Sequence, residues 1–396
     1  MLNKKVIMAE FSDVRFDARV IKEAKALAES GYFVKLHMYN TSANKNIREI
    51  DGNIEYYVYS FKSKLHDKRF LEIIKRYYEA IKIITRINIW VLLHKADVYH
   101  AHNLKFLLSS FLASIFYKAK FVYDAHEIHS EHYDNTKIKG KLKNKSNEIC
   151  ERIILPKCNA FIQASDKRAE YVAKKYNVKM PYTINNYVPL KRYPNSNDKL
   201  REELGLKNDF PIMFYSGGVY VGGGRRFDKV LEALQYVDVY FVIVGFMNDK
   251  IRLKLTELVK TYSIESKVFI LPPCPYEDLF EYASSADFGV IPLNGDALNT
   301  KLSALNKVSE YLMAGLPILC SNYENLEKIV YDNPVGIAGE TFDVNSVFSI
   351  VDAIKRICDG NIYEYKKNAL NLAQEFYNWE KEEEKLIEIY QIILRR

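Results

Sequence analysis

A chain of 396 residues that is 48% hydrophobic and 27% charged has the balance of a soluble globular protein, long for one core and comfortable for two. Its five cysteines are odd in number, far apart and never paired as Cys-x-x-Cys, which excludes a disulfide framework and a zinc ribbon and points to a reducing compartment. The net charge of +7 hides an asymmetry: residues 1–190 hold 33 Lys and Arg against 20 Asp and Glu, or +13, while the remainder holds 24 against 30, or −6.

Residues 5–10 predict a first strand, and 19–30 a helix ended by Gly31 that leads into a strand at 33–38, a βαβ opening. Asp17 and Arg19 sit in the loop at the strand's carboxyl end, where open sheets bind ligands; the competing reading is a helix-capping Asp beside a solvated Arg. No Gly-x-Gly-x-x-Gly occurs there, so a dehydrogenase-type dinucleotide site is not expected in this half. After a strand at 54–60, residues 66–94 read as a long amphipathic helix in which Lys68, Arg69, Lys75 and Arg76 interleave with Phe70, Tyr77, Tyr78 and Trp90. Either it faces the core with a solvated basic side, or it lies on a membrane surface.

Residues 96–103 and 120–127 are two strands that each run out into polar residues, separated by a near-apolar helix at 106–117 that is too short to span a bilayer. Five of the eight histidines fall between residues 100 and 132, so a metal has to be considered. His126-Glu-Ile-His129 lacks the His-Glu-x-x-His spacing and no Asp-x-Asp occurs, so none is expected. The lysine run at 137–145 reads as a basic loop, followed by a helix to about residue 156 and a strand at 160–165; Pro189, Pro194 and the polar residues around them make a linker over about 187–199.

The second half repeats the grammar with a strand at 211–216, a glycine cluster opening with Gly217 and Gly218, the pair Arg225 and Arg226, and a helix through 234. Glycines let backbone amides approach phosphates, although such a cluster is as often a plain turn. Strands follow at 240–245, 268–271 and 287–292. Ser303 is placed to cap a helix that Gly315 closes, with a buried strand at 317–320 behind it. Lys307 and Glu310 are three apart and share a face near the helix start, either a grip for a ribosyl diphosphate or an ordinary exposed pair on an amphipathic helix. Residues 361–396 read as helical.

The run Asn306-Lys307-Val-Ser-Glu310-Tyr-Leu-Met-Ala-Gly315-Leu-Pro317 resembles the nucleotide-sugar motif of glycosyltransferase family 4, whose fold is the two-Rossmann GT-B. That family usually carries two glutamates separated by seven residues; the second matches Glu310, the first falls on Leu302, and the chain resembles the branch with Asn-Lys-x-x-Glu-Tyr. Asp17-Ala-Arg19-Val20, the strands ending near His102 and His126, the Gly-Gly and Arg225 region, the exit from the first half at 182–189 and the terminal helices are similar to family features in the same order. Pro272-Pro273 stands where the family usually has a glycine near the nucleobase.

The resemblance implies an α/β GT-B protein of two Rossmann-like domains facing across a cleft. Residues 1–188, with the last helix at about 379–396, would form the acceptor side and residues 200–378 the nucleotide-sugar side. It implies a retaining, metal-independent glycosyltransferase in which Lys307 and Arg225 stabilise the leaving diphosphate, Glu310 holds the ribose and His126 meets the sugar. Gly217, Gly218 and Asn306 would contact the donor, and Asp17 and Arg19 the acceptor. No cofactor is expected beyond the nucleotide-diphospho-sugar donor; the expected acceptor is a glycan or lipid-linked sugar of cell-surface polysaccharide or glycoconjugate synthesis. The alternatives are a sugar-nucleotide epimerase on the same fold or a non-catalytic partner subunit. No zinc-finger, RNP or homeodomain signature accompanies the basic half, so an anionic membrane surface suits it better than nucleic acid, and a cytoplasmic protein docked peripherally on the membrane is expected.

Overall fold

A computed structural model describes residues 4–61, 70–134, 136–191, 197–207, 209–219, 224–295 and 297–395. Lys68 and Arg69 of the expected basic helix, Pro194 of the linker and Gly222 of the glycine cluster lie outside the described residues. Two compact units result, one of residues 1–186 with 382–396 and one of residues 187–381.

The first unit is built on the strands β1 (Lys5–Asp13), β2 (Phe33–Asn40), β3 (Ile47–Asp51), β4 (Ile54–Ser60), β5 (Val98–His102), β6 (Lys120–Ala125), β7 (Ala160–Gln163) and β8 (Tyr182–Thr183). They lie in the order β3-β4-β2-β1-β5-β6-β7-β8, and every pairing is parallel except β3 with β4. Helices cover both faces of the central strands, so β5 is buried at all five positions, His100 and His102 included. An imidazole in such a place needs a partner, and His100 Nδ1 has the Tyr390 hydroxyl at 2.9 Å. Tyr390 belongs to the helix Trp379–Arg395, which also brings Glu382 to accept the Asn185 N–H at 2.8 Å.

The second unit carries β9 (Ile212–Ser216), β10 (Tyr240–Val244), β11 (Val268–Leu271), β12 (Phe288–Ile291), β13 (Ile318–Ser321) and β14 (Gly339–Phe342), all parallel, in the order β11-β10-β9-β12-β13-β14. The side-chain period of two sorts each strand between two cores: Phe214 and Val242 enter one, Met213, Tyr215, Phe241 and Ile243 the other.

Two expectations change. The helix after Ser303 is Asn306–Met313; Ser303 does not cap it, its hydroxyl donating instead to the Thr300 carbonyl at 2.8 Å. Gly315 ends that helix as expected, at φ +65°, and Leu316 N–H returns to Tyr311 O. The lysine run is helical rather than a loop, lying within Ile138–Ile154. Lysine is a good helix former, and the non-lysine positions make the packing face: Gly140 lies so close to the Asp134 carbonyl that a Cβ would overlap it, and Asn144 brackets Tyr133 through its N–H and C=O at 3.0 and 2.8 Å. Residues 361–396 are helical as expected, in Ile362–Glu375 and Trp379–Arg395, and β3, whose five residues are all exposed, is an addition that apolar alternation does not signal.

Candidate functional site

Where β9 ends, Tyr215, Ser216 and Gly217 meet the start of the Asn306–Met313 helix. Ser216 N–H donates to the Tyr311 hydroxyl at 3.0 Å, and Gly217, at φ +104°, donates to Val244 O at 2.8 Å. A side chain at Gly217 would be strained at that φ and would overlap Lys307 Nζ, so glycine is required twice over. Gly218 receives the Tyr215 hydroxyl on its carbonyl at 2.7 Å. The Lys307 ammonium lies 4.6 Å from the centre of the Tyr215 ring, a cation–π seat that fixes the long side chain beside the glycine turn. Burial lowers its pKa to about 8, with Glu310 opposing the shift and the Arg225 charge adding to it.

Arg225 therefore stands near enough to Lys307 for two positive charges to oppose each other. Its backbone forms an isolated antiparallel bridge with Leu293, and its Nη1 donates to Gly224 O at 2.8 Å. Arg226 is engaged differently: its guanidinium chelates Asp228 at 2.9 to 3.2 Å and reaches Asn345 at 2.7 Å. Asn306 is exposed at the helix start, and Glu310 is half-buried one turn on. This unit thus gathers Gly217, Gly218, Arg225, Asn306, Lys307 and Glu310 around one strand end. Two cations held together with a single carboxylate is an arrangement that a polyanion relieves.

The first unit gathers a different set. Arg19 is only 4% exposed and places Nη2 and Nε 2.8 and 3.0 Å from the two oxygens of Asp124, with Nε also 3.0 Å from Glu23. Asp17 caps the following helix by accepting the Val20 N–H. Neither residue stands as an open acceptor contact: Asp17 is used as a cap, and Arg19 is interior because its partner Asp124, far along the chain, is interior too. Burial disfavours the Asp124 carboxylate, but Arg19 and His126 outweigh it and hold the pKa well below the ordinary range. Burial and the Asp124 charge push Glu23 well up despite Arg19.

His126 follows β6, its side chain 19% exposed, with Nε2 3.3 Å from Asp124 and 3.2 Å from His102 Nδ1. Burial disfavours its charge, yet Asp124 prevails and the pKa is raised. Asn103 organises the surroundings from a left-handed backbone at φ +59°, unusual for a residue with a side chain. Its Nδ2 donates to Glu10 at 3.2 Å, and its Oδ1 accepts the His126 N–H at 3.1 Å with His129 Nε2 also at 3.1 Å. Glu10, buried at the end of β1, has its pKa raised to about 7 by that burial. Glu10, Asn103, Asp124 and His129 are additions to the sequence analysis; the signal for them was the polar residue that each buried strand runs into.

Among the described residues, Glu23, His100, His102 and Asp124 form the group whose ligand atoms, within 4.8 Å of one another, could surround a metal. The cation position is already filled by Arg19, which sits on both Asp124 oxygens and on Glu23. Burial and the Asp124 charge favour the neutral form of Glu23, which leaves Arg19 and Asp124 as the directly opposed charges of the cluster.

The family model described as "Glycosyltransferase Family 4" matches residues 18–192, and that described as "Glycosyl transferases group 1" matches residues 196–379. The chain belongs to glycosyltransferase family 4. Among solved structures, sucrose-phosphate synthase (tll1590) from Thermosynechococcus elongatus superposes at TM-score 0.75 with 16% identity, over 99% of this chain and 100% of that one. Anabaena Alr3699/HepE in complex with UDP and glucose gives 0.68 with 14% identity, over 98% and 100%. WaaG, a glycosyltransferase involved in lipopolysaccharide biosynthesis, gives 0.66 with 14% identity, over 97% and 99%. The fold is GT-B. No curated protein matches the chain by sequence. Among the described residues no helix is long and apolar enough to cross a membrane.

Proposed function

We propose that this family 4 glycosyltransferase moves a sugar, with retention and without a metal, from a nucleotide-diphospho-sugar to a glycan or lipid-linked acceptor in cell-surface polysaccharide or glycoconjugate synthesis. The observation that carries the reading is Lys307, an ammonium whose pKa is lowered to about 8, seated on Tyr215 beside Gly217 with a second cation, Arg225, near it. Complexes of HepE with UDP and with UDP-glucose support a nucleotide-sugar as the donor. The diphosphate takes the place between Lys307 and Arg225, and its charge restores the full protonation of Lys307 that burial opposes. Glu310 accepts hydrogen bonds from the ribose hydroxyls.

In the front-face route the leaving diphosphate itself receives the acceptor proton, so the chain has to supply position and charge rather than a base. His126, its pKa raised by Asp124, meets the transferred sugar and holds it by a hydrogen bond. The protein works peripherally on the cytoplasmic face of the membrane, where a lipid-linked acceptor is presented. The test is a thermal-shift panel of nucleotide-sugars followed by transfer assays with and without EDTA; a donor that binds raises apparent stability by mass action. One nucleotide-sugar should stabilise the protein and be turned over unchanged in EDTA. Loss of transfer in EDTA that manganese or magnesium restores overturns the metal-free reading, and turnover to an epimer without acceptor overturns transfer.

A further inference from the structure

The crossovers from β4 to β5, β5 to β6 and β6 to β7 all step the same way along the first sheet. Right-handed connections therefore set the helices Phe70–Leu93, Leu107–Phe116 and Ile138–Ile154 side by side on one face. Lys157, just past the third, reaches the ring of Phe111 in the second at 5.5 Å, which ties these two together.

The middle helix is inside out. Besides Leu107 it buries Ser109, Ser110, Ala113 and Ser114, and it turns Leu108, Leu112, Ile115 and Phe116 outward, Phe116 to 76% exposure. Two of the inward serines bond to nearby carbonyls, Ser109 to Phe106 O at 3.2 Å and Ser114 to Phe111 O at 2.7 Å. Outward aliphatics at spacings of four, three and one make a continuous ridge, and the helix has no charged residue. Its two neighbours add outward Ile81, Leu93, Ile149 and Ile153. Around the ridge stand the exposed cations Lys82, Arg86, Lys118, Lys145, Arg152 and Lys157. Of the carboxylates on these helices whose side chains are described, Glu79 and Glu148 are half-buried and paired with Lys82 and with Lys145 and Arg152, and Glu151 is interior.

We infer that this three-helix face is a docking surface for an anionic bilayer, with the Leu108–Leu112–Ile115–Phe116 ridge entering the acyl boundary and the flanking cations meeting lipid phosphates. The inference deepens the proposed function and rests on its membrane-held acceptor. Charge decides the occupant: an apolar ridge flanked by the cations Lys82, Arg86, Lys118, Lys145, Arg152 and Lys157 matches an anionic lipid surface. A second copy of this chain would set cations against cations across a two-fold axis. The middle helix is too short to span, so docking is interfacial and reversible.

The experiment is vesicle co-sedimentation of the full chain with phosphatidylcholine alone and with added phosphatidylglycerol, at low and high salt. Wild type should sediment with anionic vesicles only and release in salt. Leu112→Asn/Phe116→Asn should bind about tenfold more weakly or worse, as should Arg86→Glu/Arg152→Glu, while both keep the wild-type thermal midpoint because all four sites face solvent. In Phe116→Trp, the tryptophan emission should shift to the blue with anionic vesicles alone. Equal partitioning to both vesicle types, no partitioning, an unshifted Phe116→Trp emission in sedimenting protein, or a solution dimer dissolved by Leu112→Asn/Phe116→Asn each overturns the inference. A nucleotide-sugar thermal shift on the same variants separates the two claims. Vesicle binding without any donor response leaves this surface standing and removes the proposed reaction; a donor response without vesicle binding does the reverse.

Discussion

Both units place cations and carboxylates where parallel strands end, and they treat them in opposite ways. In the first unit Arg19 is sealed in the interior, both Asp124 oxygens answered and Glu23 alongside. In the second unit Lys307 is half-buried, with its pKa lowered to about 8 and another cation adding to the shift. In the first arrangement the Arg19 charge is answered by Asp124; in the second the Lys307 charge has another cation near it, a setting that an anion relieves. Ionic residues at a strand end therefore mark a ligand site only when the protein leaves the electrostatics unbalanced.

Deleting Arg19 should produce the largest effect, since it strands a carboxylate in the core. Arg19→Met should cost about 3–5 kcal/mol in urea unfolding while donor affinity of the folded fraction stays wild type. Donor affinity that collapses with stability unchanged would erase the contrast between the units.

Lys307→Met should do the opposite, weakening donor binding by about 2–5 kcal/mol in calorimetry and stabilising the free protein. The sign follows from linkage. The fold lowers the Lys307 pKa to about 8 from an ordinary 10.5, so the unfolded chain binds more protons between those values and stability rises with pH across that window. The penalty is at its full size below pH about 8 and fades above it; Lys307→Met should flatten that part of the stability profile. A pH-stability curve identical to wild type would place Lys307 in an ordinary solvated setting.

The adjacent arginines sharpen the comparison within one loop. Arg225→Ala should also lose about 2–5 kcal/mol of donor affinity. Glu310→Gln, which keeps shape and loses charge, should raise donor KM by the equivalent of about 1.5–3 kcal/mol. Arg226→Ala, losing its Asp228 and Asn345 contacts, should cost stability of about 1 kcal/mol or less and leave donor KM unchanged. Equal effects at Arg225 and Arg226 would show that the loop, not a particular guanidinium, is what matters.

Most parallel strands were legible as short apolar runs ending in polar residues, whereas β8, two residues long, and β14, Gly-Glu-Thr-Phe, were not; the shared face of Lys307 and Glu310 was legible because three-residue spacing fixes it whatever the fold. Arg19 was misleading for a physical reason: a buried arginine and a cleft arginine look alike until the partner is known, and Asp124 lies 105 residues away. Asn103 gave no sign of its positive φ, since the groups its side chain meets, the Glu10 and His129 side chains and the His126 backbone N–H, come from other segments. The lysine run misled because charge density was read as solvation, whereas Gly140 and Asn144 between the lysines supply the packing face. The orientation of the Leu107–Phe116 helix was hidden as well, because its large apolar residues imply burial and the fold buries the serines.

The Trp379–Arg395 helix bears on how the molecule is made. Residues 382–396 belong to the first unit although the whole second unit precedes them in the chain, and Tyr390 meets His100 across 290 positions. A ribosome delivers residues 1–186 long before the segment that covers His100 and ties down Asn185. During that interval the first sheet has an open slot lined by His100, Tyr32 and Glu23, the side that Tyr390 later closes. The nascent first unit is therefore incomplete until residues 382–396 emerge, and its closing contact is made over a long sequence separation.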